Sequence, residues 1–144
     1  MANIGTAVAG FVALLEKEFS IDVIDKDIQE DIPRPSFVLQ VENITRDKIG
    51  ALPHDNFDLE IWYFAPKREQ GYAGLYGIMQ RMQELFGGDY VSFADGYKIP
   101  VEVMEYDLDR KDMTLLTTLN IDMVYDYIEQ GECNMETLNN NVNL

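Results

Sequence analysis

The pattern of apolar and polar positions predicts two amphipathic helices. From residue 3 to 18, apolar side chains recur at the three- and four-residue spacing of one helical face, and Asn3 is placed to cap the first turn. A second helix is predicted from about Gln70 to Phe86, since the Gly87-Gly88 pair that follows favours a helix end through the left-handed conformation. The two apolar stripes contain Ile4, Ala7, Val8, Phe11 and Leu15 in the first helix and Leu75, Tyr76, Met79, Met82 and Phe86 in the second.

Alternation of apolar and polar residues predicts two strands between these helices. The first follows Pro35 and covers about residues 36–42, and the second covers residues 57–64. The polar residues 43–56 between them predict a loop, and residues 20–24 predict a further short strand.

The second half of the chain predicts three more strands. Residues 90–94 and 97–106 flank the dipeptide Asp95-Gly96, which is typical of a two-residue hairpin turn. The longest alternating pattern follows, from Met113 to Tyr127.

The order of these elements predicts the fold class. Strands that follow one another along the chain favour antiparallel pairing, so we expect an α+β protein with a mainly antiparallel sheet and two amphipathic helices. We expect one domain over residues 1–128. The polar residues 129–144 predict a C-terminal tail that is mobile or contacts a neighbouring subunit.

Aromatic residues at the end of the second strand are the candidates for an assembly interface. The residues on one face of that strand are predicted to enter the core, and they are Phe57, Leu59, Ile61 and Tyr63. Trp62 and Phe64 lie on the other face, and Tyr106 belongs to a later strand. Exposed aromatic residues favour contact with another subunit, whereas burial under the helices is the alternative.

The charge of the chain excludes one class of function. It has 11 Lys+Arg and 26 Asp+Glu, which gives a formal net charge of −15. Such a surface repels a phosphate backbone, so we do not expect sequence-specific binding of nucleic acid. The acidity has three interpretations: a solvated surface that maintains solubility, the lining of a passage that DNA crosses without adhering, or a surface for a basic partner.

No pattern in the sequence predicts catalysis, a cofactor or a metal site. His54 is predicted to lie in a surface loop, and Cys133, as the one cysteine, excludes an intramolecular disulfide and a multi-cysteine metal cage. Clustered carboxylates such as Glu102 and Glu105 do not have the spacing of a calcium-binding loop. We therefore expect a protein that is not an enzyme. No apolar run reaches the ~20 residues of a membrane helix, and no signal-peptide pattern is present, so we expect an intracellular protein.

The order and spacing of the elements resemble the tail terminator proteins of tailed phages and of phage-like particles such as contractile bacteriocins. The resemblance covers about residues 4–128. It is carried by the first helix, the strand entry Pro35–Leu39, the strand Phe57–Phe64 with Pro66 after it, the following helix, and the final strand ending at Val124-Tyr125. The resemblance does not extend to residues 134–144.

The resemblance implies a structural protein that forms a ring, commonly of six copies. The ring caps the tail tube, stops its polymerisation and fixes tail length. Implied partners are other copies of the chain, the tail tube protein, the sheath protein in a contractile tail, and a head-completion protein in a phage. Assembly is expected in the bacterial cytoplasm, with the protein at the head-proximal end of the tail.

Two alternatives stay open from the sequence. One is a head–tail connector or tail-completion subunit, which belongs to the same class of assembly proteins. The other is a small acidic binding or inhibitor module that mimics nucleic acid and captures a basic partner.

Overall fold

The structure, a computed structural model, contains two helices and one five-stranded sheet among the residues it describes, which are 3–24, 31–49, 52–66, 73–92 and 98–124. The elements are α1 (Ile4–Phe19), β1 (Ser36–Ile49), β2 (Leu52–Phe64), α2 (Ala73–Phe86), β3 (Tyr90–Ser92), β4 (Lys98–Asp109) and β5 (Thr114–Val124). The strands are antiparallel in the order β1-β2-β5-β4-β3. The predicted α+β class, with an antiparallel sheet and two helices, is confirmed.

The predicted cap of α1 is confirmed. The Asn3 side chain accepts a hydrogen bond from the Thr6 amide at 2.9 Å, and the Thr6 hydroxyl accepts one from the Asn3 amide at 2.8 Å. These two bonds satisfy amide groups that have no partner within the helix. The helix ends at Phe19, after which Ser20 has a left-handed φ of 55° and donates its amide hydrogen to the Glu16 carbonyl at 3.0 Å.

Both helices pack on the same face of the sheet. The rings of Phe11 in α1 and Phe86 in α2 lie 5.6 Å apart, and the ring of Phe19 lies 5.3 Å from that of Phe37 in β1. The core combines these helix residues with alternate residues of the strands, which are Phe37, Phe57, Leu59, Ile61, Tyr63, Leu115, Leu119, Ile121 and Met123. The predicted inward face of the second strand is therefore confirmed.

The loop predicted for residues 43–56 is wrong, because the strands continue through it. β1 and β2 stay paired up to Ile49 and Leu52, with one β-bulge between Glu42 and Thr45 and a positive φ of 54° at Asn43. The bulge adds residues to one strand and shifts the alternation of faces, so the two-residue period disappears from the sequence.

A charged residue on the core side of β2 also hides this part of the strand. The Asp55 carboxylate is 4% exposed and accepts two hydrogen bonds, at 2.6 and 2.8 Å, from the guanidinium of Arg46 across the hairpin. A buried carboxylate requires such a partner, which the one-dimensional pattern does not reveal.

Other predicted elements are confirmed in part. The segment before residue 25 forms a single parallel bridge, Val23 with Phe37, instead of a short strand. β3 and β4 form the predicted antiparallel pair, while Asp95-Gly96 lies outside the described residues. The start proposed for the second helix at Gln70, the strand residues after Val124, and the predicted tail 129–144 also lie outside them.

We predict that Gly87→Ala destabilises the protein. α2 ends at Phe86 as expected, but neither Gly87 nor Gly88 has the left-handed φ expected of this pair. Glycine is favoured at position 87 by a close approach instead: a Cβ there would lie 2.3 Å from the Gln83 carbonyl oxygen, which accepts the Gly87 amide hydrogen at 2.8 Å. Relief of this clash should lower the free energy of unfolding by about 1–3 kcal/mol. Gly88→Ala is the matched control, because its Cβ has its nearest neighbour at 3.9 Å. Equal urea midpoints for the two variants would contradict this prediction.

We predict that Thr117→Val stabilises the protein. The Thr117 side chain is fully buried on the core face of β5, and its hydroxyl has no hydrogen-bond partner among the described residues. Because an unsatisfied buried hydroxyl costs about 1–3 kcal/mol, the nearly isosteric valine should raise the free energy of unfolding by about 1 kcal/mol. Thr118→Val, on the half-exposed opposite face, controls for strand propensity. A lower thermal midpoint for Thr117→Val than for the unmodified protein would refute the assignment.

Candidate assembly surface

The face of the sheet opposite the helices, called the outer face below, is the candidate surface for assembly. Its side chains alternate with those of the core, because successive residues of a strand point to opposite faces. Its positions are Ser36, Val38, Gln40 and Glu42 of β1, His54, Asn56, Asp58, Glu60, Trp62 and Phe64 of β2, Thr114, Leu116, Thr118, Asn120 and Asp122 of β5, and Glu105, Asp107 and Asp109 of β4. Neither described helix packs on this face.

One end of the outer face is apolar. Val38, Trp62 and Leu116 are direct cross-strand neighbours on β1, β2 and β5. Phe64 is only 4% exposed, and the guanidinium of Arg34 lies 5.5 Å from the centre of its ring. This end, called the apolar end below, is therefore a second cluster of apolar residues outside the main core.

Arg34 is held at the apolar end by the chain segments around it. Its guanidinium donates to the Ala65 carbonyl at 3.1 Å and to the Met113 carbonyl at 3.4 Å, and it pairs with the Asp112 carboxylate at 3.2 Å. These contacts fix the cation over Phe64, so that the phenyl ring is covered from within the same chain.

Trp62 is the member of the apolar end with an unmet polar group. Its side chain is half-buried, and its indole N–H is shielded from water without a hydrogen-bond partner among the described residues. Tryptophan N–H groups usually find an acceptor when they are buried. Trp62 and Phe64, both proposed from the sequence, are thus neighbours at the apolar end of the outer face, and Trp62 is the more exposed of the two.

Tyr106 lies on the opposite side of the sheet from Trp62 and Phe64. It pairs with Thr117 on the core face of β5, and its hydroxyl donates to the Met79 carbonyl at 3.5 Å. Burial raises the pKa of the half-buried Tyr106 phenol, as it does the pKa of the buried Tyr63 phenol. The structure therefore does not bring the three candidate residues into one patch. The sequence contains a signal for this placement of Tyr106, because Met104, Tyr106 and Leu108 alternate with Glu105, Asp107 and Asp109.

The rest of the outer face carries a polar network that the sequence did not predict. His54, which lies half-buried in β2 and not in a loop, contacts the Asp122 carboxylate through Nε2. Asn56 donates to Asp122 at 3.2 Å and exchanges amide hydrogen bonds with Asn120 at 3.1 and 3.2 Å. Asp58 accepts from Asn120 at 2.9 Å and from Asn43 at 2.8 Å. The network thus joins β1, β2 and β5 across their exposed side.

The outer face is predominantly acidic. Its acidic positions include Glu42, Asp58, Glu60, Glu105, Asp107, Asp109 and Asp122. Two cations lie at its margins, Arg34 over Phe64 and Lys98, which alternates with the buried Ile99 at the start of β4. A surface with such an excess of carboxylates repels polyanions and attracts basic protein surfaces.

The described residues contain no group of three or more His, Cys, Asp or Glu side chains placed to hold a metal ion. The His54–Asp122 contact has no hydroxyl or thiol nucleophile among its described partners, so it lacks the arrangement of a nucleophilic catalytic site. Neither described helix has the length and apolar character needed to cross a lipid bilayer.

Comparison with known proteins identifies a family. A family model described as phage tail terminator protein matches residues 8–134, a range that includes α2 and every described strand. Comparison with the curated proteins finds no match to the chain. The family is structural, so the chain is a structural protein of a phage tail. On the extent of this match, the chain belongs to the phage tail terminator family.

Proposed function

We propose that the protein forms a ring that caps the tail tube, stops tube polymerisation and thereby fixes tail length. The observation that carries this proposal is the family match over residues 8–134. We take the ring to contain six copies and to lie at the head-proximal end of the tail, after assembly in the bacterial cytoplasm. In a phage this ring also forms the surface that joins the head.

The partners proposed for the ring follow from its position. They are neighbouring copies of the chain, the last ring of the tail tube protein, the sheath protein in a contractile tail and a head-completion protein in a phage. A ring subunit needs two different surfaces for its two neighbours, and further surfaces for the structures above and below it. The two-layer fold supports this, because the helix layer and the outer face differ in shape and charge.

The apolar end of the outer face is the proposed contact with the tube. Trp62 presents a half-buried aromatic side chain, and tryptophan is among the residues that contribute most to binding at protein interfaces. Phe64 is buried two residues after Trp62 on the same face of β2, so it belongs to the same apolar cluster. Tyr106, on the other side of the sheet, serves a different contact.

The acidic outer face favours one other function. A small acidic module that captures a basic partner would use these same carboxylates, and its binding would weaken steeply with salt. Such a protein stays a monomer and has no effect on tail length, which separates it from a terminator.

We predict that tails assembled without this protein are irregular and overlong. Without a cap, tube subunits continue to add to the open end after the normal length is reached. Negative-stain electron microscopy of tails from a deletion strain measures the length distribution, and expression of the intact chain in trans should restore it. Tails of normal length that fail to join heads would instead identify a connector. Normal tails on complete particles would contradict both assembly functions.

We predict that Trp62→Phe weakens capping without unfolding the subunit. Phenylalanine keeps most of the apolar surface and removes an N–H that has no hydrogen-bond partner among the described residues, so the free energy of unfolding should change by less than about 1 kcal/mol. Because the smaller ring covers less of the tube surface, the affinity for purified tube ends should fall about 2- to 10-fold. Tyr76→Ala is the matched control, since Tyr76 is 48% exposed in the helix layer. Wild-type affinity of Trp62→Phe in a co-sedimentation assay would exclude the apolar end as the tube contact.

A further inference from the structure

Two long strands, β1 and β4, each have one edge that lacks a partner strand over part of its length among the described residues. β3 pairs only with residues 98–100 of β4, so residues 102–109 have no partner strand on their second side among the described residues. On β1, the bridge from Val23 reaches only Phe37, which leaves residues 39–42 unpaired on that side within the described chain. Free main-chain groups at a sheet edge are ready to pair with another strand.

The directions of the two edges are complementary. The four long strands lie in the order β1-β2-β5-β4, and each is antiparallel to its neighbour. Because their number is even, β1 and β4 run in opposite directions. A second copy placed beside the first in the same orientation therefore brings its β4 antiparallel to β1, with the helices of both copies on the same side of the joined sheet.

The hydrogen-bonding phases of the two edges also agree. The Phe37 amide donates to the Asp22 carbonyl at 3.0 Å, and the Phe37 carbonyl accepts from the Ile24 amide at 2.8 Å, so the main-chain groups of Phe37 point away from β2. By alternation, Leu39 and Val41 point the same way. The pairing registers of β1 with β2, β2 with β5 and β5 with β4 then determine which residues of β4 point their main-chain groups away from β5. These residues are Met104, Tyr106 and Leu108.

These residues share one further property. Leu39, Val41, Met104, Tyr106 and Leu108 are all partly buried apolar residues that pack against the margin of the core. When the second copy is not shifted along the strand direction, Leu39 lies opposite Tyr106 of the next copy, and Val41 lies opposite Met104. Pairing of the edges would therefore cover the apolar margins that each subunit leaves partly open, and would use Tyr106 on the core face.

Charges on the outer face favour this register. In it, Gln40 lies opposite Glu105 of the next copy and Glu42 lies opposite Val103, so no carboxylate directly faces another. A shift of two residues in one direction places Glu42 opposite Glu105. Like charges directly opposite each other destabilise a strand pair.

We propose that main-chain pairing of the β1 edge of one copy with the β4 edge of the next closes the ring, with Leu39 opposite Tyr106. This inference rests on the proposed function in that it requires a ring. The contact is head-to-tail, because the two surfaces differ, and such contacts form closed rings when the rotation between copies closes.

A disulfide between the two edges tests this pairing in assembled tails. In a Cys133→Ser background, Gln40→Cys with Glu105→Cys places two thiols at a position where strands approach without direct hydrogen bonds, with Cα atoms about 4.5 Å apart. Mild oxidation should give a ladder of covalent oligomers that ends at the ring size. The matched control is Gln40→Cys with Asp109→Cys, which uses an acidic residue of the same face about 13 Å further along β4. The control pair and each single variant should give no ladder.

The outcomes separate the inference from the proposed function. Rings at the tail end that show no ladder with Gln40→Cys and Glu105→Cys, or an equal ladder with the control pair, would overturn the edge pairing and leave tail termination standing. Tails that end without a ring of this protein would overturn both.

A charge exchange gives a second measurement that needs no oxidation. Gln40→Glu places a carboxylate opposite Glu105 of the next copy and should raise the amount of protein needed to restore normal tail length about two- to five-fold. Adding Glu105→Lys to this variant should reverse the loss. Within one chain the two positions are three strand spacings apart, about 14 Å, so the recovery must arise between copies. Failure of the double variant to recover, with an intact monomer fold, would overturn the inference.

Discussion

The alternation of side chains along β2 is the constraint on which the rest of the structure depends. β2 lies between β1 and β5, and its residues Phe57, Leu59, Ile61 and Tyr63 all enter the core beneath the helices. A slip of one residue in its pairing would exchange this set with the residues of the outer face. The core face and the acidic outer face are therefore two consequences of one register, and the position of Trp62 at a surface follows from the burial of Tyr63 and Ile61.

The sequence predicts those parts of the fold in which local pattern and tertiary packing agree. The two helices, the cap at Asn3 and the paired strands before the bulge have periods that match their buried faces. The hairpin beyond Glu42 was missed for two physical reasons. The bulge at Asn43 shifts the phase of the strand, and Asp55 occupies a buried position at which it accepts hydrogen bonds from Arg46 on the opposite strand. An ion pair between a buried carboxylate and an arginine of the neighbouring strand can be recognised only once the register is known.

The candidate surface shows the same division. Trp62 and Phe64 were found because they are neighbours on a single strand, where two-residue alternation suffices. The polar network was not, because His54 and Asp122 are 68 residues apart and meet only through the pairing of β2 with β5. Tyr106 was grouped with Trp62 by residue type alone, whereas its alternation with Glu105 and Asp107 already indicated the other face.

The acidic outer face and the free edges act together in the proposed ring. The excess of carboxylates on that face opposes the stacking of two sheets face to face, whereas the free main-chain groups of β1 and β4 can pair with a second copy that lies in the plane of the sheet. The bulges after Glu42 and Val101 limit the regular part of each edge to a few residues. A single edge contact of that length is weak, since each cross-strand pair contributes only about 0.2–1 kcal/mol. Closure links every copy through two such contacts, and a tube end that holds the copies side by side raises their effective concentration. The proposed ring would therefore form at the end of a tube, because its edges pair too weakly to drive assembly elsewhere.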